Sequence, residues 1–166
     1  YFLQIAGLAF GCQLVYFIAE RSMYQNILVT FSLSIITIFA VDYFKRKKNA
    51  FSAIVMITEI ISVLVLCFVL HHLVKGFHID YGFFGVLLPV TVYFSPNKPI
   101  KLLSLMVVLV LLSIDLGAIQ WYSLLSVPLL VLYNGKRGKI NLKYLFYIFY
   151  PLHLVLIYLV EIVFFN

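Results

Sequence analysis

Tyr150, Pro151 and His153 stand close together in an otherwise apolar run, Tyr144–Phe165. His153 is the tenth residue of that run, roughly 15 Å along a helix. A buried imidazole is held neutral, because desolvation disfavours the imidazolium, and a neutral imidazole can take a proton from an attacking amine or hydroxyl. Pro151 has no N–H, so the carbonyl of Tyr147 loses its helical partner. Tyr150 lies three residues before His153 and so shares its helix face. Together they read as a polar pocket at a kinked helix. The plainer alternative is a histidine hydrogen-bonded between helices. Glu59, nine residues into Phe51–Leu70, has three readings: a proton carrier, a ligand for a polar substrate, or a carboxylate paired with a Lys or Arg. Gln13 suits a bond between helices, and Glu161 lies near enough to the end of its run to reach water. His71, His72 and His78 form no recognised ligand spacing, and no metal is expected.

A loop of the sequence Tyr133-Asn134-Gly135-Lys136-Arg137-Gly138-Lys139 precedes the histidine run. Its glycines permit tight turns and close backbone approach, and its three cations suit phosphate. It lacks the spacing of a Walker motif. The alternative is a basic loop with an Asn-Gly turn that only sets topology.

The elements that position these residues follow from composition. The 166-residue chain is 64% hydrophobic and 11% charged, with a net charge of +6. A soluble fold of this size cannot hide so much apolar material. That excludes a soluble enzyme, a nucleic-acid module and a disulfide scaffold, and no nucleic-acid partner is expected. Cys12 and Cys67 sit inside apolar runs and read as small buried side chains. The fold expected is all-α, a polytopic transmembrane helix bundle of about seven membrane helices, some short, forming a single domain over residues 1–166. The runs are Phe2–Ala19, Asn26–Val41, Phe51–Leu70, Tyr81–Phe94, Leu102–Ile114, Gly117–Tyr133 and Tyr144–Phe165. The fourth and fifth fall short of the usual minimum of about 17 residues. They either extend into their flanks, with Lys98 or Lys101 snorkelling, or stop short of a full crossing. A first residue of Tyr1, with no charged leader, reads as a fragment of a longer protein.

Loop charge sets the expected orientation. The even-numbered connections hold ten Lys/Arg and the odd-numbered ones two. The bias puts the even loops in the cytoplasm and the C-terminus outside. Joining Leu102–Tyr133 into one helix would make it about 48 Å long, well beyond a 30 Å core. A hairpin turn at Ile114-Asp115-Leu116-Gly117 is therefore expected.

Several segments resemble the TraX family, membrane proteins named for a conjugal-transfer pilin acetylase. They are Asn26-Ile27-Leu28-Val29-Thr30, Asp80-Tyr81-Gly82-x-x-Gly85, and Gln120-Trp121 with Pro128-Leu129-Leu130. Tyr133-Asn134-Gly135-x-Arg137-Gly138 and Lys143-Tyr144-x-Phe146-Tyr147-x-Phe149-Tyr150-Pro151-x-His153 complete the set. They follow the family's order along most of the chain. Cys12-Gln13-Leu14-Val15-Tyr16 departs from the family's pattern, with Val15 at its proline. The family's Asp-His pair in an earlier helix is also missing from these residues.

The resemblance implies an acetyltransferase that takes acetyl from cytoplasmic acetyl-CoA. The acceptor would be an amine or hydroxyl, on a protein N-terminus such as pilin or on an envelope component. It implies that Tyr133, Asn134, Gly135, Lys136, Arg137 and Gly138 hold the phosphates of CoA. His153 and Tyr150 would face the thioester or the acceptor. Asp80 and Tyr81, at the opposite face, would help receive the acceptor, and Glu59 joins them as a substrate-binding candidate. Expected partners are membrane lipids and the acceptor. Two other classes fit the same residues: a proton-coupled transporter using Glu59 and His153, and a non-catalytic assembly factor.

Overall fold

The computed structural model describes residues 2–20, 23–135 and 143–165. It divides into two compact units, Tyr1–Leu132 and Tyr133–Asn166. The first unit opens with α1 (Phe2–Glu20), β1 (Tyr24–Gln25) and α2 (Ile27–Lys47). There follow α3 (Ala50–Leu64), a π-helical segment (Val65–Val69), α4 (Leu70–Leu73) and β2 (His78–Ile79). It closes with α5 (Gly82–Phe94), α6 (Lys98–Leu116), a 3₁₀ segment (Ala118–Leu125) and α7 (Ser126–Leu132). The second unit contains α8 (Lys143–Phe165).

Asparagines start three of these helices. Asn26, Asn49 and Asn97 each accept a backbone N–H of the first turn, at Leu28, Ser52 and Ile100. The short polar side chain supplies the acceptor that the first turn lacks. At Asn49 the bond is reciprocated, because its own N–H donates to the Ser52 hydroxyl at 3.2 Å. Capping by Asn97 explains why the fifth apolar run gains length. Its helix begins at Lys98, and the Lys98 ammonium reaches the carbonyl of Val131 at 2.8 Å. Gly117, at φ 93°, ends α6 as the hairpin reading expects. The sixth run corrects the simple helix expected there, since Ala118–Leu125 winds as a 3₁₀ segment. The third run is likewise interrupted, by the π segment after Leu64.

Among the described residues, three helices are long and apolar enough to cross a membrane: Ile27–Lys47, Ala50–Leu73 and Lys98–Leu116. The protein is a helical membrane protein. The distribution of side chains agrees with that medium. Thr30, Ser34, Ser52 and Ser113 are the largest fully buried side chains, while Phe39, Phe51, Ile54, Ile114 and Ile119 face outward. Small hydroxyl residues let helices approach closely where lipid gives no hydrophobic drive for association. Ser34 shows the arrangement: its hydroxyl lies 2.9 Å from its own helix at Thr30 O and 3.0 Å from Val86 O of α5. α2 is the central element, packed against α1, α3 and α5, and α6 packs on α5.

The first and third loops meet through a feature the sequence does not announce. β1 and β2 pair in parallel, Tyr24 with His78 and Gln25 with Ile79. The second and fourth loops meet at the opposite end. There the Tyr93 hydroxyl donates to Asp42 at 3.0 Å, and the Lys45 ammonium lies 3.8 Å over the Phe94 ring. This grouping of the first loop with the third and the second with the fourth is the one the charge count requires of those four.

Candidate functional site

The paired end is assembled from α1, α2 and the two strands. Asn26 is buried, and besides capping α2 its amide donates to Ala9 O at 3.1 Å and Gln13 Oε1 at 3.3 Å. Gln13 in turn donates to Tyr24 O of β1 at 2.8 Å, so the bond between helices expected of it runs instead from α1 to the strand and to the cap of α2. Asp80 is the hub of the other half. Its backbone N–H donates to Gln25 O at 3.0 Å, and its carbonyl accepts from the Thr30 hydroxyl at 2.6 Å. Its carboxylate accepts from the Tyr24 hydroxyl at 2.8 Å. Burial pushes the Asp80 carboxyl above its ordinary range, against the smaller lowering effects of Tyr24, the Tyr81 backbone and His78.

Asp80-Tyr81-Gly82-x-x-Gly85 has a steric explanation here. Tyr81 and Gly82 take left-handed backbone, at φ 60° and 51°, to turn the chain into α5. A Cβ on Gly85 would lie 2.4 Å from Tyr81 Cβ and 3.1 Å from Thr30 Cγ2. The segments Asn26–Thr30 and Asp80–Gly85, fifty residues apart, are thus one packed junction. Beside it the Nδ1 atoms of His71 and His78 are 3.1 Å apart, and the His78 ring lies 5.4 Å from that of Tyr24.

Glu59 does not join Asp80 and Tyr81. It faces α2 further along, where the Thr37 hydroxyl donates to Oε1 at 3.2 Å. The Ser62 hydroxyl lies 2.7 Å from Glu59 O and 3.3 Å from Oε2. Both hydroxyls also have a nearer carbonyl acceptor, Leu33 O at 2.9 Å for Thr37 and Glu59 O for Ser62, and among the described residues no Lys or Arg pairs with the carboxylate. Glu59 lines an open groove of about 750 Å³ between α2 and α3. The walls are chiefly apolar, from Ile36, Phe39, Ile54 and Val55, with Asp42, Tyr43 and Arg46 toward the basic end. Sequence reasoning singled out Glu59 but not the groove, which depends on how two helices diverge.

In the second unit, His153 lies on α8. Its Nδ1 is 3.0 Å from Phe149 O, and its ring stacks on Phe149 at 5.2 Å and 13°. A carbonyl only accepts, so in this bond Nδ1 carries a proton. Tyr150 is helical, but its side chain lies outside what the structure describes. Tyr133, Asn134 and Gly135 are described, with Gly135 at φ 75°, while Lys136, Arg137 and Gly138 lie outside the described residues.

The sequence matches the TraX protein family over residues 3–161. No curated protein and no solved structure matches the chain. The match takes in the capped start of α2, the Asp80–Gly85 junction, Glu59 and the histidine of α8 in a single alignment. The chain belongs to the TraX family.

Proposed function

We propose that the protein is a membrane-embedded acetyltransferase that moves acetyl from acetyl-CoA to an amine or hydroxyl acceptor. The observation that carries this reading is the family match over nearly the whole chain, since the TraX family is associated with pilin acetylation. The acceptor is a protein N-terminus such as pilin, or an envelope component. The membrane is the bacterial inner membrane, with the basic loops on the cytoplasmic side, where acetyl-CoA is found.

An acetyl thioester is already activated. The acceptor must lose a proton as it attacks, and the carbonyl oxygen must be stabilised as it gains charge. In this reading His153 takes the proton through Nε2, with Nδ1 fixed by Phe149 O. Tyr150 donates to the developing oxyanion. Asp80 and Tyr81 meet the acceptor.

The test is acetyl-CoA binding and acetyl transfer by the full-length protein in detergent. His153→Ala is expected to keep binding while transfer falls at least 100-fold, the usual contribution of general-base catalysis. Full transfer by His153→Ala removes the histidine from the chemistry. Absence of any acetyl-CoA binding by the wild type removes the enzyme class itself.

A further inference from the structure

We propose that the groove between α2 and α3 receives the pantetheine arm of acetyl-CoA, with phosphates at Arg46, Lys47 and Lys48 and the thioester beside Glu59. The inference rests on the acetyl-CoA reading above, but it seats the donor away from residues 133–138. In that seat Glu59 stands beside the thioester sulfur, placed to return the acceptor's proton to the departing thiolate.

Three observations converge on this seat. The first is length. Glu59 lies nine residues past Ala50, where α3 leaves the basic loop, and its partner Thr37 lies nine residues before Arg46. At about 1.5 Å per residue, the carboxylate sits roughly 13–14 Å below the cations. The arm of CoA from pyrophosphate to sulfur has about twelve chain atoms, the reach of four extended residues, or ~14 Å. A donor anchored by its phosphates at the collar therefore presents its thioester at the depth of Glu59.

The second observation is charge. Lys45, Arg46, Lys47 and Lys48 form the end of α2 and its cap, and the Arg46 side chain is 78% exposed. Lys45 is turned onto Phe94 of α5. Arg46 lines the groove mouth, and Lys47 and Lys48 stand exposed beside it. Asp42 also lines the mouth, but its carboxylate is engaged by the Tyr93 hydroxyl and lies 3.8 Å from Arg46. Arginine and lysine together supply the bidentate and point-charge contacts that a pyrophosphate takes.

The third is the chemistry of the walls. Apolar side chains line the middle of the groove, suiting the methyl and methylene groups of the arm, and Tyr43 and Thr58 offer hydroxyls to its two amides. A phospholipid would satisfy the collar equally well, but its hydrocarbon tail would end against a carboxylate that lies within 3.3 Å of the Thr37 and Ser62 hydroxyls. A reacting thioester is better matched to that terminus. There the acceptor nitrogen or oxygen bonds to the acetyl carbon and the carbon–sulfur bond breaks. The acceptor's proton, once taken up by the base, is returned through Glu59 to the departing thiolate, leaving the acetylated acceptor and CoA with its free thiol.

The experiment measures acetyl-CoA binding by calorimetry on the full-length protein in nanodiscs. Arg46→Ala with Lys47→Ala is expected to weaken binding at least tenfold. Val55→Trp, which fills the groove, should abolish it, and Ile57→Trp on the exposed face of α3 should bind as the wild type does. Glu59→Gln should keep binding and lose acetyl transfer at least 100-fold. A Thr58→Cys variant gives an independent reading, because acetyl-CoA should slow its alkylation at least fivefold. Wild-type binding by Val55→Trp overturns the placement, as does Thr58→Cys alkylation that only phospholipid slows. Binding lost in Arg137→Ala but kept in the groove variants also overturns it, leaving the acetyl-CoA reading intact. No binding by the wild type brings down both.

Discussion

At one end of the Tyr1–Leu132 unit, loops are tied to each other by backbone and by short polar side chains. At the other, helix ends are met by long cations. The paired end places Asp80 between Gln25, Thr30 and Tyr24, at 2.6 to 3.0 Å. The basic end has Lys45 over a ring, Lys98 on a carbonyl and Arg46 at 3.8 Å from Asp42. Short side chains lose little entropy when fixed and transmit position accurately. Lys and Arg lose up to about 2 kcal/mol of rotamer freedom on fixing, and their contacts at a wet surface are weak. The first end is therefore suited to hold geometry. The second keeps cations that can be redirected to an anionic ligand at small cost.

Substitutions should expose that asymmetry. The largest effect is expected at Gly85, whose added Cβ would meet Tyr81 Cβ at 2.4 Å, backed by the Thr30 methyl. Gly85→Ala should cost about 2–3 kcal/mol, as overpacking of a tight junction does, read as a lower thermal midpoint in detergent. A loss under about 0.5 kcal/mol would mean that the junction yields and does not hold geometry.

A smaller, pH-dependent effect is expected at Asp80. Burial raises its carboxyl from the ordinary value of 3.8, so the folded protein holds its proton more tightly than the unfolded chain. Its stability is then fully present below that ordinary value and is lost as pH rises through the raised one. Asp80→Asn should flatten this part of the stability profile, and an unchanged slope would show that the carboxyl is not responsible for it. The smallest effect belongs to the basic end. Lys45→Met should cost about 0.5–1 kcal/mol, the value of an exposed cation over a ring. A loss matching that of Gly85→Ala would erase the contrast between the two ends.

Much of this architecture could be read from sequence because it is written in long, additive signals. Apolar runs located the helices, loop cations paired the first four connections correctly, and Asp115 with Gly117 located the hairpin turn. Short-range and converging features were hidden. A two-residue strand pair has no periodicity to detect, and it joins residues 24 and 78 only once α2 and α5 have packed. The π segment depends on hydrogen-bond geometry within an unbroken apolar run. Asp80 and Glu59 were both marked as substrate-binding candidates, yet one belongs to the paired end and the other to the groove. Nothing in their separation along the chain distinguishes the two. Tyr24, the partner of the Asp80 carboxylate, was missed because a tyrosine in a short loop carries no signal of its own.

The buried hydroxyls have a consequence for how the protein is made. Ser32, Thr37 and Ser113 each bond a carbonyl four residues back in their own helix, at Leu28, Leu33 and Leu109, and Ser34 lies within reach of Thr30 O in the same way. Each helix therefore brings these polar groups into the bilayer already satisfied, before any neighbour has arrived. Insertion and assembly become separable steps: a helix released alone from the translocation machinery need not wait for its partner. When the bundle closes, Val86 O comes within 3.0 Å of the Ser34 hydroxyl and the Glu59 carboxylate within 3.2 Å of that of Thr37, and each single proton is shared with a second acceptor.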